Sequence, residues 1–118
     1  MRRNWKWLTA VIAVFAILVA GAAASSASVT TRKVAIVSSG GLYPTFSFSP
    51  TTKTIHKGVR VKWTNPSGFK HHIKFTNGVT FNKVVPIGGS VSHVFHHKGT
   101  FHYHCTIHRT MKGVVKVT

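Results

Sequence analysis

The sequence contains no aspartate and no glutamate, whereas 16 of its 118 residues are lysine or arginine and nine are histidine. A chain without carboxylate side chains cannot form side-chain ion pairs within itself, so its basic groups are available to solvent ions and partners. A purely basic surface favours anionic partners, which include acidic proteins, anionic lipid and nucleic acid. Solubility through self-repulsion is the alternative interpretation of the same charge.

The N-terminal apolar run is shorter than the about 20 residues that a membrane-spanning helix needs. The first seven residues carry three basic side chains, an uncharged run follows over 8–20, and 21–28 contain only Gly, Ala and Ser. This order is typical of a secretory signal peptide. We predict a leader over 1–27, with an uncleaved anchor and a twin-arginine signal as alternatives. The expected location is the periplasm or the outer face of the cytoplasmic membrane.

The predicted mature chain, 28–118, has 91 residues, which suffices for one domain with a modest core. Loss of the leader would leave 13 basic residues and a single cysteine, Cys105. One cysteine excludes an internal disulfide, and in an exported protein it is either a free thiol or a ligand. Stability must therefore come from packing, with a bound metal as the other available source.

Sustained helical periodicity is absent from the mature chain, which is rich in Val, Thr, Phe and Ile with turn residues at short intervals. This composition is typical of an all-β sandwich. Val59, Val61 and Trp63 alternate with two basic residues, which predicts a strand with its apolar face inward. We predict a Greek-key sandwich of seven or eight strands, including 34–38, 45–49, 59–64, 71–75, 91–95, 100–105 and 113–118.

Three metal-binding residue types lie within seven positions of a predicted inter-strand loop: Cys105, His108 and Met111. Each alone is typical of a core or surface residue. A thiolate, two imidazoles and a weak thioether together form a blue copper electron-transfer site. The loop can supply three of these ligands, and the second imidazole must come from His71 or His72 at the start of a predicted strand.

The sequence resembles the small plastocyanin-like cupredoxins, and its ligand loop is most similar in length to that of amicyanin. The resemblance covers nearly the whole mature chain. It is carried by 46–50 and 58–65 in the N-terminal half, by 71–73 at the first-ligand motif, and by 101–105 with 111–115 near the C-terminus.

The resemblance implies one mononuclear type 1 copper ion. Cys105 would supply the thiolate, His71 and His108 the two imidazoles in the plane, and Met111 the weak axial ligand. In the family's first-ligand motif one residue separates the ligand His from Val or Ile, which selects His71, although His72 stays a rival ligand. The C-terminal ligand, His108, would be the electron port at an apolar surface patch.

The sequence departs from the family beside two of these ligands. Arg109 follows His108 where the family often has proline, which places a charge next to the electron port. His72 follows His71 where asparagine or threonine is common, so a hydrogen bond near the ligands is expected to differ.

The remaining histidines have weaker signals. His102 and His104 are expected on the outward face of their strand, where they are either solvated or, for His104 beside the cysteine, part of a second electron path. His93, His96 and His97 cluster in sequence and are candidates for a weak second metal site.

We expect a monomeric, diffusible one-electron carrier rather than an enzyme, with an acidic redox partner and association with anionic envelope surfaces. A copper-binding or copper-delivery protein without a dedicated redox partner is the alternative. Multicopper oxidases flank the cysteine with histidine on both sides, whereas Thr106 follows Cys105 here, and a binuclear copper site needs a second cysteine. Charge alone would suit nucleic acid, but the export signal argues against a specific nucleic-acid partner.

Overall fold

A computed structural model describes residue 16, residue 21 and residues 27–118. These residues contain no helix with the length and apolar character that crossing a membrane requires. The predicted leader over 1–27 lies outside the described residues, apart from residues 16, 21 and 27. The described chain forms β1 (Thr31–Ser39), β2 (Thr45–Ser49), β3 (Thr52–Ile55), β4 (Arg60–Thr64), β5 (His71–Phe75), β6 (Asn82–Val85), β7 (Ser90–Val94), β8 (Gly99–Cys105) and β9 (Lys112–Val117).

The strands form two sheets around one core. The first has the order β2-β1-β4-β7 and the second the order β3-β9-β8-β5-β6. The pairs β1–β4 and β3–β9 are parallel and the others are antiparallel, so both sheets are mixed. Parallel neighbours cannot be joined by a tight hairpin, and the chain therefore crosses between the sheets. The prediction of an all-β protein is confirmed.

Side-chain alternation decides which face of each strand is buried. On β4, Val61 and Trp63 are fully buried, whereas Arg60 and Lys62, which alternate with them, are partly exposed. On β8, Phe101, Tyr103 and Cys105 are buried, as the alternation of this strand predicts. Apolar burial of this kind stabilises by about 25 cal/mol per Å² removed from water, so the register of each inner strand is strongly specified.

Two strands that the sequence did not predict lie at the edges of the five-stranded sheet. These are β3 and β6, each four residues long and each with a single buried residue, Ile55 or Val85. Their short polar sequences lack a period-two apolar pattern, so their conformation depends on pairing with β9 and β5. The first strand also begins earlier than expected, at Thr31.

The second sheet brings two distant parts of the chain to one end of the sandwich. β5 and β8 are antiparallel neighbours with Ile73 opposite Cys105. β5 therefore begins, at His71, beside the point where β8 ends. The loop 106–111 joins β8 to the adjacent β9 at that same end.

Tyr103, beside this end, is packed against both sheets. Its ring centroid lies 4.8 Å from that of Phe48, 5.0 Å from that of Phe75 and 5.5 Å from that of Trp63. On the opposite side the ring contacts β9 at Gly113, where an added Cβ would overlap the ring. The absence of a side chain at this position is what allows β9 to lie close to the ring.

We expect Gly113→Ala to lower the free energy of unfolding by about 1–3 kcal/mol, the usual cost of overpacking a core. The matched control is Gly41→Ala, because a Cβ at that loop position meets nothing within 4 Å. Urea denaturation of both variants measures the difference. Equal stability of the two variants would show that the β9–Tyr103 contact tolerates a methyl group.

Candidate metal centre

Three of the predicted site residues meet at this end of the sandwich. His71, Cys105 and His108 have one ligand atom each within 4.8 Å of one another. The sulfur of Cys105 lies 3.8 Å from Nδ1 of His71 and 3.7 Å from Nδ1 of His108. Within residues 27–118 this is the one such group of three or more histidine and cysteine side chains.

Met111, the fourth predicted site residue, is held at the same place by the backbone of the loop. Its N–H donates to the carbonyl of His108 at 3.0 Å, and its carbonyl accepts from the N–H of Cys105 at 3.0 Å. The side chain is 1% exposed. These two hydrogen bonds close the loop 106–111 and hold the backbone of Met111 next to those of His108 and Cys105.

The adjacent histidines on β5 have different environments. His71 is fully buried with Nδ1 toward the sulfur, whereas Nδ1 of His72 lies 2.6 Å from the hydroxyl of Thr106, on the exposed side. The backbone N–H of His72 nevertheless donates to the sulfur of Cys105 at 3.5 Å. The structure therefore brings His71 into the cluster and leaves His72 at its edge as a main-chain donor.

The far side of the His71 ring is held by a polar loop. Nε2 lies 2.9 Å from the hydroxyl of Ser67, which donates to Oδ1 of Asn65 at 2.6 Å. The amide of Asn65, a buried residue, donates to the carbonyl of Phe69 at 2.6 Å. We assign the His71 proton to Nε2, because a donor at that atom continues this chain and leaves the Nδ1 lone pair facing Cys105.

Burial also keeps this imidazole uncharged. Desolvation, with a smaller contribution from nearby His108, lowers the pKa of His71 to about 4. The ring is therefore neutral at pH 7, and neutral imidazole is the form that binds a metal ion.

The ring of Phe46 on β2 packs against the imidazole rings of both His71 and His108. Its ring centroid lies 4.8 Å from that of His71, 4.5 Å from that of His108 and 5.1 Å from that of Phe69. This packing restricts the rotation of both rings and excludes water from one side of the cluster.

Three residues that support the centre have no evident role from the sequence alone: Phe46, Asn65 and Ser67. The available signal for the last two is the polar composition of the loop that directly precedes His71. For Phe46 the available signal is its position two residues before buried Phe48, which places both side chains on the same face of β2.

The donor set matches copper on chemical grounds. A thiolate and a thioether are soft ligands, imidazole is intermediate, and a trigonal His₂Cys set with an axial methionine is diagnostic of electron-transfer copper. The sequence contains no carboxylate that could supply the oxygen ligands that magnesium or calcium prefers.

Comparison with known proteins agrees with this chemistry. A family model described as a cupredoxin-like domain matches residues 9–117. The fold is similar to that of a purple cupredoxin from Nitrosopumilus maritimus, with 26% identity, a TM-score of 0.65 and coverage of 73% of this chain and 98% of that one. A Cu(I) form of an amicyanin mutant gives 24% identity, a TM-score of 0.66 and coverages of 77% and 85%. Among curated proteins none matches significantly.

We expect Ser67→Ala to leave all four donor side chains in place but to weaken copper binding about tenfold, the usual lower limit for loss of a ligand's orienting partner. Removal of the hydroxyl takes away the hydrogen bond that orients the His71 ring at Nε2. Competition with a chelator of known affinity measures the change. Ser47→Ala on the exposed side of β2 is the matched control, and equal affinities for the two variants would contradict an orienting role for Ser67.

Proposed function

This chain belongs to the cupredoxin-like family, and from that membership and its His–Cys–His–Met centre we propose that it is a blue copper electron-transfer protein. When bound, the single copper ion supplies one-electron chemistry between Cu(I) and Cu(II). The observation that carries the proposal is the convergence of the ligand atoms of His71, Cys105 and His108 within 4.8 Å.

Each of the four residues has a distinct role in this proposal. Cys105 would supply the thiolate, His71 and His108 the neutral imidazoles, and Met111 a weakly bound thioether, which together are the donor set of an electron-transfer copper ion. The N–H of His72 donates to the sulfur, which stabilises its negative charge. The closed loop and the surrounding aromatic packing hold one arrangement of donors for both oxidation states, which keeps the reorganisation cost of electron transfer low.

His108 is the proposed route for electrons because it reaches the surface. It is partly exposed, whereas the other three proposed ligands are at most 1% exposed. Its surroundings are mixed, with Ile107 and Phe69 about half exposed beside the exposed guanidinium of Arg109. A partner docking here would meet apolar surface and positive charge together, so we propose that the partner has an acidic surface.

The arrangement supports electron transfer better than copper delivery or catalysis. A delivery protein must pass its metal to other ligands, whereas here three of the four proposed ligands are buried. A catalytic centre needs an open coordination position for substrate, and four protein donors leave none. We therefore propose a non-enzymatic carrier.

The proposed setting is the cell envelope. The predicted leader over 1–27 and the family's usual location support export to the periplasm or the outer face of the cytoplasmic membrane. We propose a monomer there, with association to anionic envelope surfaces favoured by the 13 basic residues that remain after loss of the predicted leader.

The two histidines at the start of β5 give a direct test of the ligand assignment. We expect His71→Ala to weaken copper binding by at least about 100-fold, beyond the range for a ligand's supporting partners. His72→Ala should have a much smaller effect, since it keeps the backbone N–H that donates to Cys105. Copper affinity and visible colour measure both variants, and a greater loss from His72→Ala would contradict the assignment.

The second-order rate of electron transfer with an anionic redox partner should fall as salt rises, because screening acts over about 10 Å at 0.1 M. We expect Arg109→Glu to lower the low-salt rate roughly tenfold, since charge near a docking site acts mainly on association. Lys57→Glu is the matched control. The N–H of Lys57 donates to the carbonyl of Thr118, which follows the end of β9 that is remote from the ligand loop.

Stopped-flow kinetics over a salt series measures these rates. A flat or rising salt dependence, or an equal loss from Lys57→Glu, would contradict electrostatic docking at His108.

A further inference from the structure

The outward face of the five-stranded sheet carries a row of three basic residues on three neighbouring strands. Lys74 of β5 lies opposite His104 of β8, and His104 lies opposite Lys112 of β9. Directly opposed residues of antiparallel strands have Cα atoms about 4.5–5.5 Å apart. Both lysines are exposed and the histidine is partly buried between them.

The positive charge of this row is not offset by any acidic side chain of the protein. Each lysine faces His104 rather than the other lysine, and the sequence has no carboxylate side chain that could lie between them and offset their charge. His104 offers an N–H donor whether its ring is neutral or protonated. The row therefore presents charge and hydrogen-bond donors that an anion would satisfy and the chain itself cannot.

A cavity of about 440 Å³ adjoins the His104–Lys112 part of this row, and Lys74 lies beside it without lining it. Its lining includes Lys112, His104 and His102, together with Thr51 and Thr76. Both threonine hydroxyls already donate to main-chain carbonyls, those of Phe48 and His102 respectively. The side-chain donors left to a ligand are therefore the ammonium group and the two imidazoles.

The other sheet provides a comparison. Lys33 lies opposite Lys62 on its outward face, but the next residue in that row is Ser92. That row has two lysines but neither a third basic residue nor an imidazole donor. Among the described strands, directly opposed lysines thus occur once, in the four-stranded sheet, and lysines that flank an imidazole beside a cavity occur once, in the five-stranded sheet.

We propose that the row Lys74–His104–Lys112 and the adjoining cavity bind a small multivalent oxyanion, phosphate or a phosphate-bearing molecule. The two lysines supply the charge, and His104 and His102 supply N–H donors. This site is on the sheet face, apart from the exposed edge of His108, and it does not depend on the proposed electron-transfer function.

Isothermal titration calorimetry with inorganic phosphate, on the copper-loaded protein at constant ionic strength set with chloride, tests the proposal. We expect one phosphate per chain. Lys112→Gln should weaken binding about tenfold, because it removes one full charge at hydrogen-bonding distance from a dianion. Lys74→Gln should act in the same direction, and Lys33→Gln, the matched control from the other lysine pair, should leave the affinity unchanged.

Three results would overturn the proposal. The first is no binding of phosphate above the chloride background. The second is an equal loss from Lys33→Gln and Lys112→Gln, which would indicate general screening of the basic surface. The third is Lys112-dependent binding to phosphatidylglycerol vesicles without binding of free phosphate, which would make the face a lipid contact. Repeating the titration on copper-free protein keeps this result separate from any failure of the copper assignment.

Discussion

The antiparallel pairing of β5 with β8 is the constraint on which the centre depends. It places Ile73 opposite Cys105 and so fixes how close His71 comes to the sulfur. A slip of one residue would turn His71 outward and bring His72 inward, because side chains alternate with a period of two. The register is held by burial of Ile73 and Tyr103 in the core. The geometry of the metal centre is thus a consequence of core packing, and the ligand loop adds its donors to an arrangement that the sheets have already set.

The absence of carboxylate side chains means that neither the buried centre nor the protein surface has an acidic partner for its basic groups. Inside, the buried imidazole of His71 has no acidic partner and stays neutral through desolvation, while Ser67 and Asn65 orient it with uncharged hydrogen bonds. Outside, positive charge is spread over both sheet faces without internal ion pairs. We propose that partners are selected by anionic character in general, and that the mixed apolar and basic surface at His108 and the cavity at β8 and β9 provide separate binding positions.

The sequence predicted what depends on local pattern and missed what depends on distant partners. Inner strands such as β4 and β8 show apolar alternation, and Cys105, His108 and Met111 lie within one short stretch of sequence. Both the strands and the ligand loop could therefore be predicted. The edge strands β3 and β6 have no such pattern, and their strand conformation depends on pairing with β9 and β5. The choice between His71 and His72 needed a resemblance, because it is set by the neighbouring strand. The contacts of Phe46 and the row formed by Lys74 and Lys112 require the register of several strands and could not be predicted.

The visible absorption spectrum of the Cu(II)-loaded protein tests whether Cys105 is a copper ligand in a type 1 centre. Thiolate-to-copper charge transfer should give an intense blue colour with one copper ion per chain. Cys105→Ser should abolish the colour, because a hydroxyl cannot replace the thiolate as the source of that transition. A copper-loaded wild type without the intense band, or a Cys105→Ser variant that stays blue, would exclude Cys105 as the thiolate ligand of a type 1 copper ion.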